Sequence, residues 1–239
     1  MNTKLSLLLF ASTVIAGLSA SAQITVVDAV EGASGNTFAT GGSLANTSWI
    51  EFNDSSGENN TQWRLRNSST NNGFGSTAFQ AQVGTLGSTP ELTTQITGLA
   101  DGVYDIYVFF TDFGDWNISA GLTSGSLTTY EGLNAGGDSG GTTAGVVQSD
   151  TLNLDLGGLS APGSPSNHFA VNIGQTTVTG GSAINVFINH DAGVGNFNRT
   201  FYDAVGYAAV PEASHYALLL TGGAAAALLV RRKWRAKSV

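Results

Sequence analysis

Two features of this chain carry residue types that could do chemistry: a serine set among glycines, and two aspartates placed just beyond a hydrophobic run. Ser139 stands in Gly137-Asp138-Ser139-Gly140-Gly141, where backbone amides could surround an oxyanion. That chemistry also needs a histidine base held by a carboxylate. The histidines are His168, His190 and His215, all after Ser139, and no nucleophile elbow surrounds the serine. The segment therefore reads as a glycine-rich turn. Asp112 and Asp115 flank Phe113-Gly114. Two carboxylates can divide acid and base roles in glycoside cleavage. As hard oxygen donors they can also hold calcium, and Asp112 and Asp115 are the candidate calcium ligands here. The plain alternative is an Asp-rich turn with solvated charges.

Aromatic rings are the third lead, because sugars stack their apolar faces on rings while amides and carboxylates take the hydroxyls. Trp63 is in phase with Leu65 and reads as core. Trp49 alternates with Glu51, and Trp116 follows the Asp112–Asp115 turn, so these two are the candidates for sugar contact. Phe187 and Tyr107 fall on the nominally polar faces of their strands.

The elements that must position these groups are strands. In Val103–Phe110 one face carries Tyr104, Ile106, Val108 and Phe110, after an Asp101-Gly102 turn signal. Leu152, Leu154 and Leu156 alternate with polar residues; so do Phe169, Val171 and Ile173, and Ile184, Val186 and Ile188. Shorter runs at Trp49–Phe52, Gln62–Arg66, Thr77–Val83, Leu92–Thr97 and Thr200–Ala208 follow the same period. Short strands joined by glycine-rich turns predict an all-β, antiparallel β-sandwich of the jelly-roll-like kind.

Charge and cysteine content narrow the function. Between Gln23 and Val210 there are 16 acidic and three basic residues, a formal charge of −13. Such a surface repels nucleic acid. With no cysteine, thiol catalysis, cysteine-held zinc and disulfide staples are all excluded. No cofactor is required by the sequence, calcium being the one candidate ion.

The termini read as addresses. Lys4, the apolar run Leu5–Leu18 and the small residues Ser19–Ala22 make a secretory signal peptide over residues 1–22, cut between Ala22 and Gln23. Its expected partners are the secretion machinery and signal peptidase. At the other end, Val210-Pro211-Glu212 precedes an apolar run ending at Val230 and the basic cluster Arg231-Arg232-Lys233-Trp234-Arg235. Eighteen residues from Ala213 to Val230 span about 27 Å as a helix, close to the ~30 Å of a bilayer core. Arg231, Arg232, Lys233 and Arg235 then orient the C-terminus toward the cytoplasm.

This layout over residues 210–239 resembles the PEP-CTERM sorting tail of exported proteins in Gram-negative bacteria. The resemblance implies recognition by an exosortase at Val210, Pro211 and Glu212, a single apolar helix as an inner-membrane anchor before processing, and delivery to the cell surface or medium. Ala213 stands where the usual motif has a second proline. The body, residues 23–209, also resembles secreted jelly-roll and carbohydrate-binding-like modules, through Ile96–Val108 and Phe201–Tyr207. Together these imply a non-catalytic surface or matrix protein associated with extracellular polysaccharide. The alternatives are a secreted carbohydrate-active enzyme using Asp112 or Asp115, and a structural surface protein with no small ligand.

Overall fold

The structure, a computed structural model, describes residues 22–29, 36–40, 63–67, 73–82, 91–113, 116–132, 143–190 and 199–211. The signal peptide short of Ala22, the tail from Glu212 onward, Trp49, Asp115 and Ser139 lie outside them.

Alternating apolar residues build two sheets. The larger contains β1 (Ile24–Asp28), β3 (Arg64–Asn67), β4 (Thr77–Gln82), β6 (Gly102–Thr111), β9 (Val146–Gln148), β10 (Leu154–Asp155), β11 (His168–Val178) and β13 (Arg199–Ala209). Its order is β10-β1-β13-β6-β11-β9, with β4 on the first residues of β13 and β3 outside β4. The smaller sheet contains β2 (Asn36–Thr40), β5 (Leu92–Ile96), β7 (Asn117–Thr123), β8 (Ser126–Glu131) and β12 (Ile184–Asn189), in the order β2-β5-β12-β7-β8. All described pairings are antiparallel except β1 with β10. Beyond β13, the Val210 amide donates to the Val103 carbonyl at 2.8 Å.

The main core lies between the sheets. Ile106, Val108, Phe110, Val171, Tyr202 and Val205 of the larger sheet meet Leu92, Ile96, Ile118, Val186 and Ile188 of the smaller. Each such side chain contributes about 1.5–3 kcal/mol when fully buried. One polar link crosses this core, Thr94 Oγ1 to the Tyr202 hydroxyl at 2.6 Å. Trp63 is 1% exposed and belongs to the core, as its phase with Leu65 suggests.

The larger sheet is also covered on its outer face. There Ile24, Val26, Phe74, Phe109, Ala170, Ala204 and Ala208 form a second cluster, against which Leu152, Leu154, Leu156 and Leu159 pack. The alternating leucines thus form no extended strand of their own. Only Leu154–Asp155 pairs, parallel to β1, and the leucines instead act as a lid over the sheet. Gly206 is needed under that lid: a Cβ there would come within 2.8 Å of both Ile24 Cγ2 and Phe109 Cε2.

Two bulges break the alternation. One falls between Asn172 and Gly174 in β11, the other between Tyr202 and Ala204 in β13. A bulge adds one residue to one strand and re-aims its neighbours. Both polar clusters described next depend on one of them.

Candidate functional site

The first cluster is open to solvent. Asp105 and Tyr107 are two apart on β6 and share the outward face of the larger sheet. Opposite them on β11 stand Gln175 and Asn172, and on β13 the small residues Ala208 and Gly206. Strict alternation would put Asn172 and Gln175 on opposite faces, since they are three residues apart. The bulge removes that mismatch. Gly174 takes φ +128°, a region that side-chain-bearing residues rarely occupy, and its amide donates to Asn172 Oδ1 at 2.8 Å. Asn172 Nδ2 and Gln175 Nε2 then both donate to Asp105 Oδ1, at 3.3 and 3.0 Å.

Tyr107 completes the cluster. It is half-buried against the outer apolar patch and hydrogen-bonded to the Asn172 side chain. Burial pushes its hydroxyl above the usual tyrosine range, the Asn172 hydrogen bond opposes this, and the Asp105 charge adds to the rise. The phenol therefore stays neutral. The result is a ring beside a carboxylate and two amides, with no bulky side chain on the β13 flank. Such a set can stack on an apolar ligand face and exchange several directed hydrogen bonds. It contains a single carboxylate, so it lacks the carboxylate pair used in glycoside hydrolysis.

The second cluster is buried. His168 Nε2 lies 2.8 Å from Asp203 Oδ2, and His168 Nδ1 lies 2.7 Å from Ser149 Oγ. All three residues are at most 1% exposed. Asp203 is the extra residue of the β13 bulge, which lets it share the outer face with Ala204. Its Oδ2 also accepts the Phe74 amide at 2.9 Å, while Oδ1 has no hydrogen-bond partner and lies against Gly73. A Cβ at Gly73 would fall 1.6 Å from that oxygen. The imidazole is held between Phe74, edge-on at 4.7 Å, and Phe109, stacked at 6.1 Å. Burial raises the Asp203 carboxyl above the ordinary range, with the His168 hydrogen bond and charge and the Phe74 amide pulling it back.

Serine, histidine and aspartate in one chain of hydrogen bonds are the components of a hydrolytic triad. Burial removes that reading, because a nucleophile must reach substrate and Ser149 is 1% exposed. The cluster instead ties the segment carrying Ser149 to β11 and β13.

Of the residues singled out from sequence, Asp112, Trp116 and His168 fall among the described residues. Asp112 is fully buried rather than solvated, and its oxygens accept the Trp116 amide at 3.3 Å and the Gly132 amide at 2.8 Å. It organises the chain around its own turn. Asp115, its proposed partner for calcium or catalysis, lies outside the described residues, as does Trp49. Trp116 is half-buried. One face stacks on Phe201 at 4.5 Å, and Phe113 meets it nearly edge-on at 4.9 Å. His168, considered beside Ser139, is bonded to Ser149 and Asp203 instead.

Sequence reasoning missed the solvent-facing cluster because it treated Phe169–Ile173 as plain alternation. The available signal was Gly174, since an isolated glycine inside a strand pattern marks a bulge.

No family model matches this chain, and no curated protein does. Among solved structures, it is similar to a Paenibacillus xanthan lyase, with a TM-score of 0.40 and 17% identity over 79% of this chain and 13% of the lyase. It is also similar to a GH26-CBM35 β-(1,4)-mannanase from Podospora anserina, with a TM-score of 0.34 and 13% identity over 62% of this chain and 25% of the mannanase. This chain thus spans well under half the length of either one.

Proposed function

We propose that this is an exported surface or matrix protein whose sandwich binds neutral extracellular polysaccharide without cleaving it. The carrying observation is the convergence of Asp105, Asn172 and Gln175 beside Tyr107 on an open sheet face. Sugar hydroxyls are both donors and acceptors, and this cluster offers carboxylate acceptors, amide donors and a ring together. Net charge selects the polymer class. A body with a formal charge of −13 repels an anionic chain and leaves an uncharged one unopposed. Non-catalytic binding fits the single carboxylate at this face and the burial of Asp112.

The address remains part of the proposal. The signal peptide sends the chain through the secretory route, and the PEP-CTERM-like tail holds it at the inner membrane until an exosortase acts at Val210-Pro211-Glu212.

The test is binding of the purified protein to the neutral fraction of the producing cells' own exopolysaccharide, with and without calcium, while released sugar is assayed. Saturable binding without release supports the reading, and calcium dependence would point to Asp112 and Asp115 as ion ligands. Release of sugar would replace a binding module with an enzyme.

A further inference from the structure

The smaller sheet has an outer face too, and it carries a similar kind of chemistry. On β12, Asn185, Phe187 and Asn189 point away from the core, since Ile184, Val186 and Ile188 point into it. Phe187 stands in the middle, opposite Thr93 of β5 and Gly121 of β7. Phe187 is partly exposed there and presents a ring among polar neighbours.

Its surroundings are neutral and ordered. Gln95 Nε2 donates to Asn185 Oδ1 at 2.8 Å, and Ser119 and Thr129 share a hydroxyl bond at 3.0 Å. Gly121 has no room for a side chain, because Ser126 O and the Leu127 side chain already occupy the space. An open groove of about 380 Å³ begins here and runs over the rim of the sandwich, lined by Phe187, Asn185, Thr123 and Ser124 of the smaller sheet's side, the core-side Leu122 and Ile184, and Thr176 of β11. None of its lining residues is charged. Glu91 pins the hairpin tip beside it by accepting the Ser124 hydroxyl at 2.6 Å and the Gly125 amide at 2.9 Å.

We propose that this groove, at the rim where the smaller sheet meets β11, is a second polysaccharide-binding site, so that one domain holds two glycan chains. The inference rests on the proposed function and extends it from a binder to a cross-linker. The occupant is a neutral glycan: the ring supplies a stacking surface, the amides and hydroxyls match sugar hydroxyls, and the uncharged lining neither attracts nor needs an ion. A second copy of the chain is the poorer occupant, because two bodies of strong like charge would have to meet. Two weak sites on one rigid body act on a polymer with far greater combined strength than either alone.

The experiment uses oligosaccharides cut from the same neutral exopolysaccharide fraction, then the intact polymer. Wild-type protein should bind about two oligosaccharides per molecule and raise the viscosity of the polymer solution. Phe187→Ala and, as a milder change, Asn185→Ala should each reduce the capacity roughly twofold and abolish the viscosity rise, while binding at the Asp105 face persists. Tyr107→Ala should do the same at the Asp105 site. Binding of one oligosaccharide that Phe187→Ala leaves intact would overturn the second face and spare the first. No oligosaccharide binding by wild type would overturn both, and a dimer formed without glycan would assign the groove to a second copy.

Discussion

His168 and Asp203, 35 residues apart in sequence, meet through a 2.8 Å contact between Nε2 and Oδ2 with essentially no exposure to water. An ionised Asp203 can only accept, so Nε2 carries the proton and Nδ1 faces the Ser149 hydroxyl. This pair joins β11 to the bulge of β13, and Ser149 adds the start of the segment whose leucines cover the outer face. A buried hydrogen-bonded network around a carboxylate is a weak source of net stability, but breaking it is expensive.

His168→Ala should therefore destabilise the protein by about 3–5 kcal/mol, because it strands the Asp203 carboxylate without its main partner. Urea unfolding measures this directly. A loss within the range of an ordinary surface substitution would show that water or rearrangement replaces the imidazole.

The pH dependence has a defined sign. Asp203 is raised above its ordinary value near 3.8, so the folded state holds its proton more tightly than the unfolded chain. Its contribution to stability is fully present below that ordinary value and is lost as pH rises through the higher folded value. Asp203→Asn cannot titrate. The stability of wild type relative to this variant should fall as pH increases above about 4, measured by denaturant titration at several pH values. A relative stability that rises with pH would mean that the His168 contact outweighs burial.

Gly206→Ala should cost about 1–3 kcal/mol by overpacking the contact with Ile24 and Phe109. Thermal unfolding reads it.

Gly174→Ala tests the bulge and the site together. Its φ of +128° strains any side-chain-bearing residue by about 1–3 kcal/mol. Relief of that strain would turn Gln175 away from Asp105. Stability and glycan binding should therefore fall together, as calorimetry and a binding isotherm would show.

Removal of residues 210–239 should release the body into the medium, followed by fractionation and the mass of the secreted product. An unchanged location and mass would contradict the sorting role of the tail.

Much of the fold was readable because period-two burial leaves a mark in sequence. The runs around Tyr104–Phe110, Ile184–Ile188 and Phe201–Ala208 became β6, β12 and β13. The β7–β8 hairpin was not foreseen, since Asn117–Thr123 sets Ile118 and Leu122 four apart among small and polar residues and its turn rests on Ser124-Gly125. The leucines at 152, 154 and 156 were legible only in part: Leu154–Asp155 forms the edge strand β10, while all three leucines also press on the outer face of the sheet. The candidate site escaped because bulges move residues between faces. Asn172 and Gln175 converge on Asp105 only after Gly174 adds its extra residue, and Asp203 reaches His168 only through the bulge of β13. Trp116 and Asp112 were conspicuous by residue type, yet tertiary packing uses them to build the end of the sheet.

The most direct measurement compares binding of neutral exopolysaccharide by wild type, Tyr107→Ala and Asp105→Ala at matched fold stability. If the Asp105–Tyr107 face holds the glycan, each variant weakens that site about tenfold or more, equivalent to about 1.4 kcal/mol, with no sugar released by any of the three. Equal affinity across all three proteins would contradict a glycan site at this face.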